Sequence, residues 1–299
     1  MIVNNEFVYS GHEGAIYTLE NCPEADYFYS GGSDGILSKW KIHDSTAAQA
    51  LGKMNSPIYA IRWVKEKNVL LAGTGKGEFY AIDLNSQSLI ASIQFHSSGI
   101  FDLHYSFDTK KIFSCSTSGE LAIWDLDTFQ LLKKETITSG KIRALAVSND
   151  QNELAIACGD GTIHIWDTLS LKEKLSFKAH NDSSNSLAFH PTQNVLLSGG
   201  RDAHLRVWDI NNYQLRKEIP AHNYAIYSIA FSPDKKLIAT ASRDKTAKLW
   251  NADDFTFIYR IDRESSAAHS HSVNKVLWLP SGELLTAGDD RKIFQFKIT

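Results

Sequence analysis

The chain has 299 residues, 43% hydrophobic and 22% charged, with 31 Lys+Arg against 34 Asp+Glu for a net charge of −3. Those values exclude a disordered chain and any bulk attraction to nucleic acid or an anionic membrane, so a basic patch would have to be local. No run approaches the roughly 18 apolar residues of a membrane span, and the start Met1-Ile2-Val3-Asn4-Asn5-Glu6 lacks the basic and apolar regions of a signal peptide. Cys22, Cys115 and Cys158 are widely spaced with no CxxC, which points to a reducing, cytoplasmic compartment with neither a disulfide framework nor a zinc site.

An internal repeat organises the chain, and repeats have to be found before elements are assigned. Trp40 ends the first unit. Trp124 follows at 124 − 40 = 84, twice 42, and steps of 42 then reach Trp166, Trp208 and Trp250. The intervening grid point, residue 82, carries Ile82-Asp83. A second grid, 28 residues upstream of the first, holds His12, His96, His180 and His222, and a third holds Asp34, Asp160, Asp202 and Asp244, each six before its Trp. The seventh unit ends at Phe296, 46 residues after Trp250, gaining five residues before His269 (around 262–268) and losing one near Ser281-Gly282.

Within each unit the elements run in one order. A strand follows the His, with Ile16 and Leu19 in the first unit and Ile226, Ile229 and Phe231 in the sixth. The separation of three between Ile16 and Leu19, repeated as Ile100/Leu103 and Ile142/Leu145, breaks strict alternation and predicts a β-bulge that returns both side chains to the core. Next comes an apolar strand such as Val195-Leu196-Leu197-Ser198 or Leu237-Ile238-Ala239-Thr240, then a tight turn such as Arg201-Asp202-Ala203. The strand ending at the Trp alternates, with apolar Leu205 and Val207 around polar Arg206, and similarly around His164 and Lys248. Each unit is thus about four short strands, too small to bury its own apolar face, and seven stacked radially would.

The residues His12…Ser30…Asp34…Trp40, His180…Ser198…Asp202…Trp208-Asp209 and His222…Thr240…Asp244…Trp250 resemble the WD40 repeat, and the resemblance covers essentially the whole chain. It implies an all-β fold in one domain, residues 1–299: a seven-bladed β-propeller of four-stranded antiparallel blades with repeats ending near Trp40, Ile82, Trp124, Trp166, Trp208, Trp250 and Phe296. It also implies that Glu6-Phe7-Val8-Tyr9 pairs with the last blade and closes the ring, leaving no open edge.

Asp, His and Ser together raise a hydrolase reading. The set recurs complete three times and partly in three other units, whereas a nucleophile has to be unique and exposed. The resemblance implies instead a structural tetrad of His, Ser/Thr, Asp and Trp in each blade, a buried polar network that registers strands. The second unit lacks all four, with Met54, Ala72, Lys76 and Ile82. The third has Ser118 for Asp; the fourth has Thr138 and Ile156 for His and Ser; the seventh keeps His269, Thr286 and Asp290 but has Phe296 for Trp. Blades two to four are therefore expected to be less tightly registered or held by apolar packing. His269-Ser270-His271 is not expected to bind metal, since alternating residues point to opposite sides and no further ligands adjoin. Gly73-Thr74-Gly75-Lys76-Gly77 reads as a turn, and no phosphate-cradling motif is present.

The resemblance further implies that partners dock on the face bearing the His-side and Asp-side loops, through positions five and three after the His and one before the Asp. The first position gives Tyr17, Tyr59, Phe101, Arg143, Asn185, Tyr227 and Asn274; the others contribute Lys141, Arg201 and Arg243 among mostly small residues. Blades one to three present an open aromatic arc and blades four to six a basic one, the residue types enriched at binding hot spots. The expected function is a non-catalytic protein–protein interaction scaffold without cofactor or metal, binding an extended segment with apolar anchors and acidic or phosphorylated residues. The alternatives are a propeller hydrolase or lyase using the central channel, and binding of nucleic acid or a phospho-ligand through the basic arc, which salt would weaken steeply.

Overall fold

The computed structural model describes residues 2–46 and 48–299. Among them the strands form seven four-stranded sheets, antiparallel and in chain order, one per repeat. The last sheet takes its outer strand from the other end of the chain: Val3–Ser10 pairs antiparallel with Lys292–Ile298, so both chain ends lie in one sheet. The chain packs as two compact units, one comprising residues up to Ile58 with Pro220–Thr299 and the other Tyr59–Ile219.

Burial falls across each sheet. Second strands such as Val69–Thr74, Lys111–Ser116 and Val195–Gly200 are buried along their whole length, the pattern of a strand covered on both faces. The fourth strands, such as Lys172–Lys178 and Gln214–Pro220, are exposed and rich in charge, which blunts a free edge. In the unit holding the chain ends, Tyr9, Phe28, Trp40, Leu285 and Ile293 form one cluster, and Leu249, Trp278, Leu284 and Phe296 belong to another. In the unit Tyr59–Ile219, Phe79, Ile100, Leu103 and Trp124 pack together, and Phe113, Ile142, Ile156 and Trp166 form a second cluster. Each such side chain contributes about 1.5–3 kcal/mol by leaving water. The second sheet, which lacks the tetrad residues, is held this way: Leu70, Leu71, Ala72, Phe79 and Ala81 are all fully buried.

The bulge expected from the spacing of three is present in the first sheet and in the third to seventh. Pairing skips from Ile16 to Thr18, Ile100 to Asp102, Ile142 to Ala144, Ser184 to Ser186, Ile226 to Ser228 and Val273 to Lys275. The extra residue is left out of the ladder and re-aimed. The insertion before His269 forms a short helix, Arg263–Ser266, capped by the Asp262 carboxylate, which accepts from the Glu264 and Ser265 amides.

Candidate functional site

The tetrads of the first, fifth and sixth sheets are closed chains of hydrogen bonds. In the first, Trp40 Nε1 donates to Ser30 Oγ at 2.7 Å, Ser30 Oγ meets His12 Nε2 at 2.7 Å, and His12 Nδ1 meets Asp34 at 2.8 Å. His180 and Asp202, with Ser198 and Trp208, repeat this within 2.8–2.9 Å, and His222, Asp244, Thr240 and Trp250 within 2.8–3.0 Å. The indole N–H donates to the hydroxyl, and the ionised carboxylate, which can only accept, takes the proton on Nδ1. The carboxylate also accepts the amide after the His and one in the turn, as Asp34 does from Glu13 and Ile36, both at 3.0 Å. It thus ties loop to turn. Ser30, Ser198 and Thr240 are fully buried, and a hydroxyl so enclosed reaches no substrate.

The departures have their own chemistry. In the third sheet, where Ser118 occupies the Asp position, the carboxylate facing His96 Nδ1 is Glu120, two residues further on, at 3.5 Å in an electrostatic contact that completes no hydrogen bond. In the fourth, Ile156 leaves the buried Trp166 Nε1 without an acceptor, while Thr138 donates to Asp160 at 3.3 Å. In the seventh, His269 keeps Asp290 at 2.7 Å and Thr286 at 2.8 Å, and Phe294 packs edge-on against its ring. Trp208→Phe breaks a buried hydrogen bond, whereas Trp166→Phe removes an N–H that has none. We expect Trp166→Phe to cost at least about 1 kcal/mol less, measured by urea unfolding.

Burial holds the imidazoles of His96, His180 and His222 below their ordinary range, although their acidic partners push the other way. Burial alone would raise Asp202 and Asp244, but bonds from His180 and Arg206 to the first, and from His222 and Thr246 to the second, hold both carboxyls far below theirs. A histidine held neutral when folded is protonated in the unfolded chain below about pH 6.5, so stability falls as pH drops from there. The depressed carboxylates stabilise above about pH 4 and are lost below it as pH falls through their folded values. The melting temperature should therefore decline in two stages below pH 7. A melting temperature flat between pH 7 and pH 5 would contradict the first.

The bulges and one backbone bond assemble the positions expected to meet a partner. In the first sheet and in the third to seventh, the amide before the turn Asp or its equivalent donates to the carbonyl three residues after the His or its equivalent: Ser33 to Ala15 (2.8 Å), Thr117 to Gly99 (2.9 Å), Gly159 to Lys141 (2.7 Å), Arg201 to Ser183 (2.8 Å), Arg243 to Ala225 (3.0 Å) and Asp289 to Ser272 (3.0 Å). The bulged residue emerges beside this bond, which places Tyr17, Phe101, Arg143, Asn185, Tyr227 and Asn274 at one end of their sheets.

In the unit Tyr59–Ile219 these side chains form a ladder. Tyr59 and Phe101 pack with ring centroids 5.4 Å apart, and the Arg143 guanidinium lies 5.1 Å from the Phe101 centroid. Gly99 makes room for it, since a Cβ there would stand 3.0 Å from Tyr59 Cε2. Beneath, Asp102 accepts the Leu145 amide at 2.9 Å and Arg62 Nε donates to the Leu103 carbonyl at 3.1 Å, which locks the second, third and fourth sheets in step. Lys141 is exposed. Arg201 is exposed too, but its charge is shared with Asp182 at 3.4 Å.

In the other unit Tyr17 is half-buried, Tyr227 is exposed, and Arg243 lies 6.0 Å from the ring of Tyr224. The aromatic arc is thus less open than the sequence suggested: Tyr17, Tyr59 and Phe101 are all half-buried. Tyr224, 59% exposed, is the aromatic that the three positions miss. It sits two residues after His222, and nothing in the repeat spacing marks it.

The family model "WD domain, G-beta repeat" matches residues 4–41, 87–125, 131–167, 171–209, 213–251 and 263–297, well over half of the chain. The chain belongs to the WD40 family. The segment left between the first two matches, residues 42–86, contains the positions where the second repeat has Met54, Ala72, Lys76 and Ile82 in place of the tetrad. Among solved structures, the WD40 β-propeller domain of Doa1 is similar over 99% of this chain and 97% of its own, with a TM-score of 0.87 at 17% identity. The fold is thus the seven-bladed β-propeller, and at that identity the likeness carries the fold alone. No curated protein matches the chain. Among the described residues no helix is long and apolar enough to cross a membrane.

Proposed function

We propose that the chain is a non-catalytic interaction module that binds an extended protein segment on the ladder Tyr59–Phe101–Arg143, with Lys141 beside it. WD40 propellers typically bind proteins. The observation that supports this site is the half-buried stack itself: two aromatic faces and a guanidinium, pre-positioned by bulges and packing, offer area and charge at little entropic cost. An apolar anchor would rest on the rings, and an acidic or phosphorylated residue would pair with Arg143 and Lys141. Tyr17, Tyr227, Arg201 and Arg243 occupy equivalent repeat positions and are proposed as contacts in their own sheets. The tetrads do not supply a nucleophile, because their hydroxyls are buried. Three free, buried cysteines support a cytoplasmic location.

The test is affinity capture with the wild type and with Tyr59→Ala/Arg143→Glu, followed by identification of what is retained. A protein held by the wild type and lost by the folded variant supports the site. Retention by both moves it elsewhere on the molecule.

A further inference from the structure

The sequence offers no clustered metal ligands, but folding brings three together from distant places. Glu6 in the strand Val3–Ser10, His43 in the turn after Ile36–Lys41, and Glu283 just before Leu284–Gly288 present ligand atoms that all lie within 4.8 Å of one another. Glu6 is the residue left out of pairing where the register slips between Asn5 and Phe7. The bulge re-aims its side chain. His43 Nε2 meets Glu283 Oε1 at 2.7 Å.

A buried second layer supports the group. Tyr9 and Gln295 are both fully buried, and the Tyr9 hydroxyl donates to Gln295 Oε1 while accepting the His43 amide at 3.0 Å. Gln295 Nε2 is buried and completes no hydrogen bond of its own, yet it is aimed at the Glu283 carboxylate. One buried pair therefore orients both the imidazole-bearing turn and the carboxylate, the role that outer partners play around a metal. On the open side, His43 is 52% exposed at its side chain, the Phe7 ring packs 5.2 Å from its imidazole, and Lys297 Nζ stands 4.0 Å from Glu6, free to swing into water.

We propose that Glu6, His43 and Glu283 form a divalent transition-metal site, with zinc the best-matched ion. One imidazole nitrogen and two carboxylates suit a borderline cation, and three protein ligands leave a position open to water or to a partner's side chain. Binding breaks the His43–Glu283 hydrogen bond: the Nε2 lone pair turns to the ion while the neutral imidazole carries its one proton on Nδ1.

The experiment is calorimetric titration of Zn²⁺ alone into chelator-treated full-length protein without an affinity tag, repeated with Co²⁺ to record its visible absorption. The wild type should bind one equivalent and gain melting temperature. His43→Ala and Glu283→Gln should each weaken binding at least tenfold and abolish that gain, while His271→Ala should change neither. Should Glu283→Gln fold poorly, His43→Ala decides alone, since that side chain is half exposed. Absence of binding by the wild type, or equal binding by His43→Ala, overturns the proposal.

Discussion

Asp202→Ala should destabilise the protein by about 3–5 kcal/mol, the cost of removing one member of a buried ionic network. The carboxylate receives Nδ1 of His180 at 2.9 Å and Nη1 of Arg206 at 2.7 Å, and those two residues are 1% and 6% exposed. Deleting it leaves a buried guanidinium that cannot lose its proton without its Asp202 carboxylate, with the partly exposed Glu218 at 3.0 Å and the uncharged His180 ring nitrogen as its remaining side-chain partners. Asp202→Asn keeps an acceptor and should cost about half as much. Asp202→Ala/Arg206→Met should recover at least about 1 kcal/mol over Asp202→Ala, because the unpaired charge leaves with the arginine. Urea unfolding of the three variants checks the set. A cost below about 1 kcal/mol for Asp202→Ala would mean that the tetrad does not hold the fifth sheet.

Gly161→Ala should cost about 2–5 kcal/mol, combining left-handed backbone strain with a clash that nothing flexible can relieve. Gly161 has φ +87°, and a Cβ would stand 2.2 Å from the Asp182 carbonyl oxygen and 2.3 Å from that of His180. Gly77 and Gly119 stand at +83° and +80° with equally close carbonyls. The same turn position in the last three sheets holds Ala203, Lys245 and Arg291 at φ 66°, 72° and 65°. Those angles lie at or near the small left-handed well that side chains reach, whereas the glycines lie beyond it. Ala203→Gly should accordingly change stability by less than about 1 kcal/mol. Equal costs at residues 161 and 203 would contradict the distinction.

Much of the fold was legible because a repeat writes each contact several times. The step of 42 between Trp166, Trp208 and Trp250 gave the sheets, and the separation of three between Ile16 and Leu19 gave the bulge that the register of that sheet contains. The bonding of His12, Ser30, Asp34 and Trp40 is what the resemblance to the WD40 repeat implied. What the sequence hid is whatever depends on side chains that meet outside the repeat's register. Alternation placed Arg206 as a polar residue between apolar neighbours, yet it is buried against Asp202 because the turn carboxylate reaches back over it. Glu120 faces His96 in place of the missing Asp of the third sheet from two residues further along the repeat, where its longer side chain can still approach the ring. Tyr59 and Phe101 are half-buried because each packs on the next sheet, Tyr59 over Gly99 and against Phe101, and Phe101 against the Arg143 guanidinium. Glu6, His43 and Glu283 are separated by most of the chain and share no spacing at all.

The central claim, that the Tyr59–Phe101–Arg143 ladder selects a segment joining an apolar anchor to an acidic or phosphorylated residue, is tested most directly on an array of extended peptides. Each peptide would carry the same apolar anchors and differ only in flanking Glu, phosphoserine or Lys. The account predicts that the wild type retains the acidic and phosphorylated peptides at least tenfold better than the Lys peptides, and that Arg143→Glu abolishes the difference while the protein stays folded. Equal retention of all three classes by the wild type, or an unchanged preference in Arg143→Glu, would contradict it.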